Sequence, residues 1–451
     1  MNKPKVGFMS VSCPTHIKAS DELGRPWVES ETTDRAVNAL KISGLEIIKY
    51  PEVIVSIQSA LGAVDKFRES NIDCVIIFID TWNWANQIVQ AAREVNLPLI
   101  LWAIPLPAKW SIGGLAVTHG SLDESGIEHE VVYGFPEDDG VMDKILNFSS
   151  AAMVINRLKR SRYGSIGGPG MGIYTGIVPA NQWLKEFGIS VGFTDQYSVV
   201  VEAEKVSRRE VEDYYEELKK DYNKIPPLDE IMERSIRLYF GLKRIIKEEG
   251  YNFTGVKCTF DLSDNYCSAC LGQSRLGKDG FSTACLSDAN GALTMYIMRL
   301  LTDEPLFMAD VNLINKKEKT IRLIDDGAAV PQRAKSKDYV ELDYQPRLEA
   351  KASGICTNLI AKPGRVTLSR LSRVDGKYHM HIVEGEAYDA PKKLKDECGY
   401  PFWPHCFVRL DADMDKFIQN LRSEYIHMAY GNLKPKLMEV CKLLKIVPDL
   451  S

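Results

Sequence analysis

Asp264 and Asp288 stand 24 residues apart in a stretch, Cys258 to Met295, that gathers acidic residues, Cys, Gly and Asn ahead of the apolar run ALTMYIMRLL. Asp264 follows the apolar-alternating VKCTF, and Asp288 stands at the mouth of that helix-like run. Both carboxylates therefore fall where ordered elements end and ligands usually bind. Brought together on separate loops they would repel, unless a hard divalent ion such as Mn²⁺, with Mg²⁺ or Co²⁺ as substitutes, joined them with an imidazole as third ligand. The plainer reading makes Asp288 the N-cap of the following helix and Asp264 the cap of a turn.

Several side chains elsewhere are eligible for the same chemistry. His405, in the aromatic turn WPHCF, and His427, in an apolar run, are each read as a ligand, a substrate contact or a packed core histidine. His379 and His381 alternate on one strand and so share a face. His16 lies in the loop after the first strand and Trp82 just past the strongest one, both positioned for substrate. Gln273, Ser274 and Arg275 in GQSRLG are secondary contacts or ordinary loop residues. SIGGPGMGIYTG lacks the Lys-Ser/Thr ending of a phosphate loop and the spacing of a dinucleotide fingerprint, so Gly167, Gly168 and Gly170 are read as letting the backbone turn tightly against a substrate. Cys267 and Cys270 form one CSAC pair without the second pair a structural zinc site needs.

The elements that must position these groups follow from periodicity. Over residues 1–145, short apolar runs alternate with amphipathic helix-length ones, the mark of a parallel sheet covered on both faces. Residues 146–310 read as a second α/β domain holding both aspartates. From 311 to 451, period-two alternation broken by DDG, PG, VDG and EG turns indicates an antiparallel, barrel-like domain with terminal helices. The expected fold class is thus multidomain α/β: two parallel-sheet domains followed by an antiparallel β-rich one.

Composition narrows the partners. With 451 residues, 45% hydrophobic, and 56 basic against 61 acidic side chains for a formal charge of -5, the chain is of ordinary globular make-up and offers no basic stripe for nucleic acid. It has no apolar run of membrane-spanning length and no signal-peptide pattern at MNKPKVGFMSVS. Ten cysteines, several inside apolar strings, indicate reduced thiols and a cytoplasmic setting.

SDANGALTMYIMRLLTDEPLFMADV, FWPHCFVRL and YIHMAYGNLKPKLMEVCKLLKI together resemble the L-fucose isomerase family, within the larger group that includes the L-arabinose isomerases. The resemblance covers most of the chain. It implies an enzyme in which two acidic residues and a histidine hold Mn²⁺ and interconvert an aldose with its ketose through a cis-enediol, in a homo-oligomer, trimer or hexamer. Carried across, Asp288 matches the family's metal aspartate and Asp264 lies where its glutamate is expected; both are expected to be catalytic, Asp264 as general base and Asp288 as relay of a hydroxyl proton on the other side. Where the fucose enzymes have Asn-His, this chain has Glu424-Tyr425. His427 is the expected substitute ligand, with His405 as the other choice, and Tyr425 falls to substrate binding. Two readings compete with isomerisation: another enolising reaction, epimerisation or carbon–carbon cleavage, and non-catalytic sugar binding between two α/β domains.

Overall fold

The computed structural model describes residues 3–16, 30–346, 353–397 and 399–451. The chain divides into two compact units, Met1–Asn156 and Arg157–Ser451.

The first unit is built on a five-stranded parallel sheet: β1 (Lys5–Ser10), β2 (Glu46–Lys49), β3 (Cys74–Ile79), β4 (Leu99–Ala103) and β5 (His129–Tyr133), in the order β2-β1-β3-β4-β5. Every residue of β3, CVIIFI, is buried, as a central parallel strand with helices on both faces requires. Between strands run helices such as Ile57–Ser70, which starts at a Ser56–Ser59 capping box and stops where Asn71 turns left-handed at φ 56°. The strand order reverses between β1 and β3. His16, after β1, and Thr81, after β3, meet there with Nδ1 3.0 Å from Oγ1. That is the crevice in which doubly wound sheets bind ligands.

The second unit opens with a four-stranded parallel sheet of β6 (Arg162–Ile166), β7 (Ser190–Thr194), β8 (Phe253–Val256) and β9 (Ser282–Cys285), ordered β7-β6-β8-β9. It continues through β10 (Phe307–Asn315), β11 (Thr320–Ile324), the antiparallel pair β12 (Val340–Tyr344) and β13 (Ile355–Leu359), then β14 (Gly364–Val374), β15 (Lys377–Ala387), β16 (His405–Leu410), β17 (Tyr425–Tyr430) and β18 (Val447–Leu450). Strand β14 pairs with both β17 and β15, so the run β14-β17-β10-β11-β16-β15 closes on itself as an antiparallel barrel, and β18 adds in parallel to β15. Closure removes the exposed edges that a long hairpin such as β14–β15 would otherwise present. That hairpin turns at Asp375-Gly376, φ 50° and 78°, the left-handed pair a tight two-residue loop demands. One continuous core, including Ile166, Val256, Leu323, Leu368 and Val408, runs from the parallel sheet into the barrel and makes residues 157–451 a single packed body. Among the described residues no helix is long and apolar enough to cross a membrane.

Candidate functional site

The carboxyl ends of β8 and β9 and one end of the barrel enclose a cavity of about 340 Å³, within the range of small-molecule sites. Cys285 ends β9, Cys258 lies just past β8, Asp264 sits in the short helix Leu262–Asn265 that follows, and Asp310, Asp326, Glu424 and Tyr425 come from the barrel; Trp403 and Gln345 close one side. The Trp403 indole donates to Gln345 Oε1 at 2.9 Å and stacks on Tyr400 at 4.9 Å, so the aromatic turn is a fixed wall.

Register explains why the barrel acids converge. Asp310 lies on β10 opposite Ile324 of β11 and Tyr425 of β17. Asp325 and Asp326 follow the end of β11, and Glu424 immediately precedes β17, so all four gather at one rim. The ladder between β10 and β11 slips just past Asp310, between Val311 and Leu313, a kind of irregularity that re-aims side chains near sites.

Asp310 shares a carboxyl–carboxylate hydrogen bond with Asp326. Desolvation, followed by the charges of Asp326 and Glu424, pushes Asp310 up to about 8. Asp326 is also raised by burial, but it accepts hydrogen bonds from Asp310 and, at 2.8 Å, from the Tyr425 hydroxyl. Burial and mutual repulsion raise both carboxyl groups, which favours a proton held in common by the pair. Asp325 is pushed to about 8 by burial and by Asp326, despite accepting from the amides of Gly327, Ala328 and Ala329. Burial keeps Tyr425 protonated far above the ordinary range. Facing the acids, the Cys285 thiol donates to Cys258, which lowers Cys258 and raises Cys285, and the Cys270 thiol donates to the Asp326 carbonyl at 3.3 Å.

Asp288 and His427, expected as metal ligands, come together elsewhere in the unit, around Arg370 of β14. The Arg370 guanidinium grips both Asp288 oxygens, the second at 3.0 Å, and its Nη1 lies 3.4 Å from His427 Nε2. All three side chains are buried. Asp288 Oδ1 also accepts the Gly291 amide at 3.1 Å, which makes it the N-cap of helix Ala289–Leu301. Burial and the adjacent guanidinium pull His427 well below the usual imidazole range, so it stays neutral. A divalent ion here would have to displace Arg370 from Asp288. Asp264 does not complete the set: it lines the cavity, exposed, beside Ser263 Oγ at 3.0 Å. Among the described residues, Asp264, Asp288 and His427 do not form a group of three side chains whose ligand atoms lie within 4.8 Å of one another.

The remaining expected contacts are placed as follows. His405 is buried at the start of β16, its Nδ1 2.9 Å from the Trp403 carbonyl, and burial pulls it down to about 4. Gln273 donates to the Ala284 carbonyl at 3.1 Å and Ser274 to the Ala329 carbonyl at 2.8 Å, both inside the core. Arg275 is buried on Tyr214 and Asp221 at 2.8 and 2.6 Å. In the first unit, the Trp82 amide donates to Lys109 at 2.8 Å, and its ring lies against Gly113. Gly167 and Gly168 take φ of +85° and +71°, and the neighbour that Gly167 admits closely is Gln196. Among the described residues one group of three side chains is arranged so that it could chelate a metal, His119, Asp123 and His129 of the first unit. No sequence pattern singled it out, although His-x₃-Asp at helical spacing followed by His past a glycine turn was there to be read.

Residues 332–450 match the family model for the L-fucose isomerase C-terminal domain. The chain is 19% identical over 447 residues to a sulfoquinovose isomerase of Priestia aryabhattai, covering 94% of this chain and 96% of that one. It is 24% identical over 470 residues to a sulfoquinovose isomerase of Clostridium sp., covering 100% of each. Against an L-arabinose isomerase of Levilactobacillus brevis it is 21% identical over 352 residues, 70% of this chain and 71% of that one. The matched domain forms most of the barrel, and over that part the chain is similar to the L-fucose isomerase C-terminal domain, with weaker likeness to the sulfoquinovose and L-arabinose isomerases along the rest.

Proposed function

We propose that the protein is a cytoplasmic aldose–ketose isomerase of a monosaccharide, working through a cis-enediol in the cavity bounded by Asp310, Asp326 and Tyr425. The observation that carries this reading is the Asp310–Asp326 carboxyl pair, bonded by the Tyr425 hydroxyl, on a cavity of sugar size. Ionised Asp326 takes the proton from the carbon beside the carbonyl, and the electron pair of that C–H bond becomes the enediol double bond. Asp310 gives its proton to the carbonyl oxygen. In the second half Asp326, its proton having exchanged with solvent, protonates the former carbonyl carbon, while Asp310 recovers a proton from the other hydroxyl, which becomes the new carbonyl. Placing an acid and a base of matched strength on adjacent oxygen and carbon atoms is what such a transfer needs. Asp264, at the cavity wall, contacts sugar hydroxyls.

The relatives' names specify a sulfonated sugar and a neutral pentose. Beside the proton-holding Asp310, the other carboxyl groups lining the cavity, Asp264, Asp326 and Glu424, disfavour an anionic substrate, so a neutral sugar is the favoured class. Arg370 holds the place beside Asp288 that the Mn²⁺ implied by the resemblance would need, so the proton transfers are assigned to Asp310 and Asp326. The nine described cysteines are free and buried, which suits a reducing compartment. A trimer or hexamer is the expected assembly, checked by light scattering.

The test is turnover of a panel of pentoses, hexoses, deoxyhexoses and acid sugars by metal-stripped protein, with and without Mn²⁺. Conversion of a neutral aldose without added metal is expected. Binding without conversion across the panel would contradict the proposal.

A further inference from the structure

The His119, Asp123 and His129 cluster is built from local geometry. Helix Ser111–Glu124 presents His119 and Asp123 one turn apart, with Asp123 Oδ2 3.5 Å from His119 Nδ1. The chain then reverses through Gly126 at φ +68°, pinned by the Ile127 amide donating to the Leu122 carbonyl at 2.9 Å. It enters β5 at His129, whose Nε2 lies 2.7 Å from His119 Nδ1. The other ring nitrogen of His129 sits 2.8 Å from the Ile127 carbonyl. A carbonyl only accepts, so Nδ1 carries the proton and Nε2 keeps its lone pair, directed at His119. A backbone carbonyl fixing the tautomer of an imidazole is the support that metal-binding histidines usually have.

We propose that His119 Nδ1, the Asp123 carboxylate and His129 Nε2 form a binding site for a borderline divalent transition ion, Zn²⁺, with water completing the coordination. Two imidazoles and one carboxylate select Zn²⁺ over the oxygen-preferring Mg²⁺, Ca²⁺ or Mn²⁺, and the carboxylate offsets part of the ion's charge. Without metal, the His119 Nδ1 proton bridges the two rings. On binding, that proton gives way and His119 takes its other tautomer. The nitrogens must then part from 2.7 Å to about 3.3 Å for Zn–N bonds of about 2.0–2.1 Å. His119 and Asp123 are 46% and 61% exposed, so a small side-chain rotation accomplishes this without disturbing the core. The site shares no residue with the sugar cavity, and it stands or falls independently of the isomerase reading.

The experiment uses the full chain, stripped with chelator and kept reduced, titrated with Zn²⁺ by calorimetry and with Co²⁺ by visible absorption near neutral pH. One ion per chain is expected. The His119→Ala/His129→Ala double variant should lose that ion, and Asp123→Asn should bind it about tenfold or more weakly. Co²⁺ should give ligand-field bands without thiolate charge transfer, which separates this site from the cysteines. Zn²⁺ should raise the thermal midpoint of the native chain but not of the double variant, whose metal-free midpoint should match the native one. Unchanged stoichiometry in the double variant, a thiolate charge-transfer band, or no binding by the native chain would each overturn the proposal.

Discussion

Asp288 and Asp326 sit in the same compact unit, each just past the end of a strand, yet they meet opposite environments. Asp288 faces a buried guanidinium and an N-cap amide, while Asp326 faces another carboxyl group, a tyrosine hydroxyl and a cavity. The difference separates two uses of a buried acid. Where a fixed guanidinium grips it, the carboxylate becomes part of the scaffold. Where only another acid is near, a proton must be held in common, and it can be lent to a substrate.

The largest effect should come from removing the shared proton's acceptor. Asp326→Asn is expected to lower kcat about 10²–10⁴-fold, the usual worth of a positioned general base, with the far-ultraviolet spectrum unchanged. Asp310→Asn should do the same with less effect on KM. Replacing Asp288 should instead act on stability: Asp288→Asn leaves Arg370 buried without its partner, for a loss of about 3–5 kcal/mol in urea unfolding. If Asp288 is scaffold, the apolar pair Asp288→Leu with Arg370→Met should recover much of that loss. A variant that unfolds no more easily than the native chain but stops turning over would move Asp288 into the chemistry.

Much of the architecture was legible, and the reasons are local. The CVIIFI strand and the amphipathic helices around it show in their periodicity, and the VDG turn of the β14–β15 hairpin is a two-residue signal. Asp288 as an N-cap was legible for the same reason, since the cap and its helix are adjacent in the chain. What was hidden is long-range. Arg370 lies 82 residues from Asp288, in a strand whose alternation says which face it occupies but not what it meets. Asp325 and Asp326 read as a DDG turn, and Asp310 as the last residue of the central α/β domain rather than as part of the β-rich one. Only closure of the barrel, which sets β10 between β11 and β17, brings those acids to one rim.

The pH dependence of stability sharpens the same contrast. The Asp310 carboxyl is raised from 3.8 to about 8 in the folded chain, so the native state binds the proton more tightly than the unfolded one. Its contribution is fully present below about pH 4 and is lost as pH rises through about 8. Thermal midpoints of the native chain should therefore fall between pH 6 and pH 8 by more than those of Asp310→Asn, apart from other titrating groups common to both. The smallest effect is expected for Tyr425→Phe, which removes one hydrogen bond to ionised Asp326 and should cost about tenfold in kcat.

The most direct test of the proton-sharing pair follows turnover of the best neutral aldose in D₂O by NMR, comparing metal-stripped native protein with Asp326→Asn. Ketose carrying solvent deuterium at the carbon that gained the proton, formed by the native chain without Mn²⁺ and suppressed in the variant, is the expected result. Equal deuterium incorporation by the two proteins, or conversion by the native chain only when Mn²⁺ is restored, would contradict it.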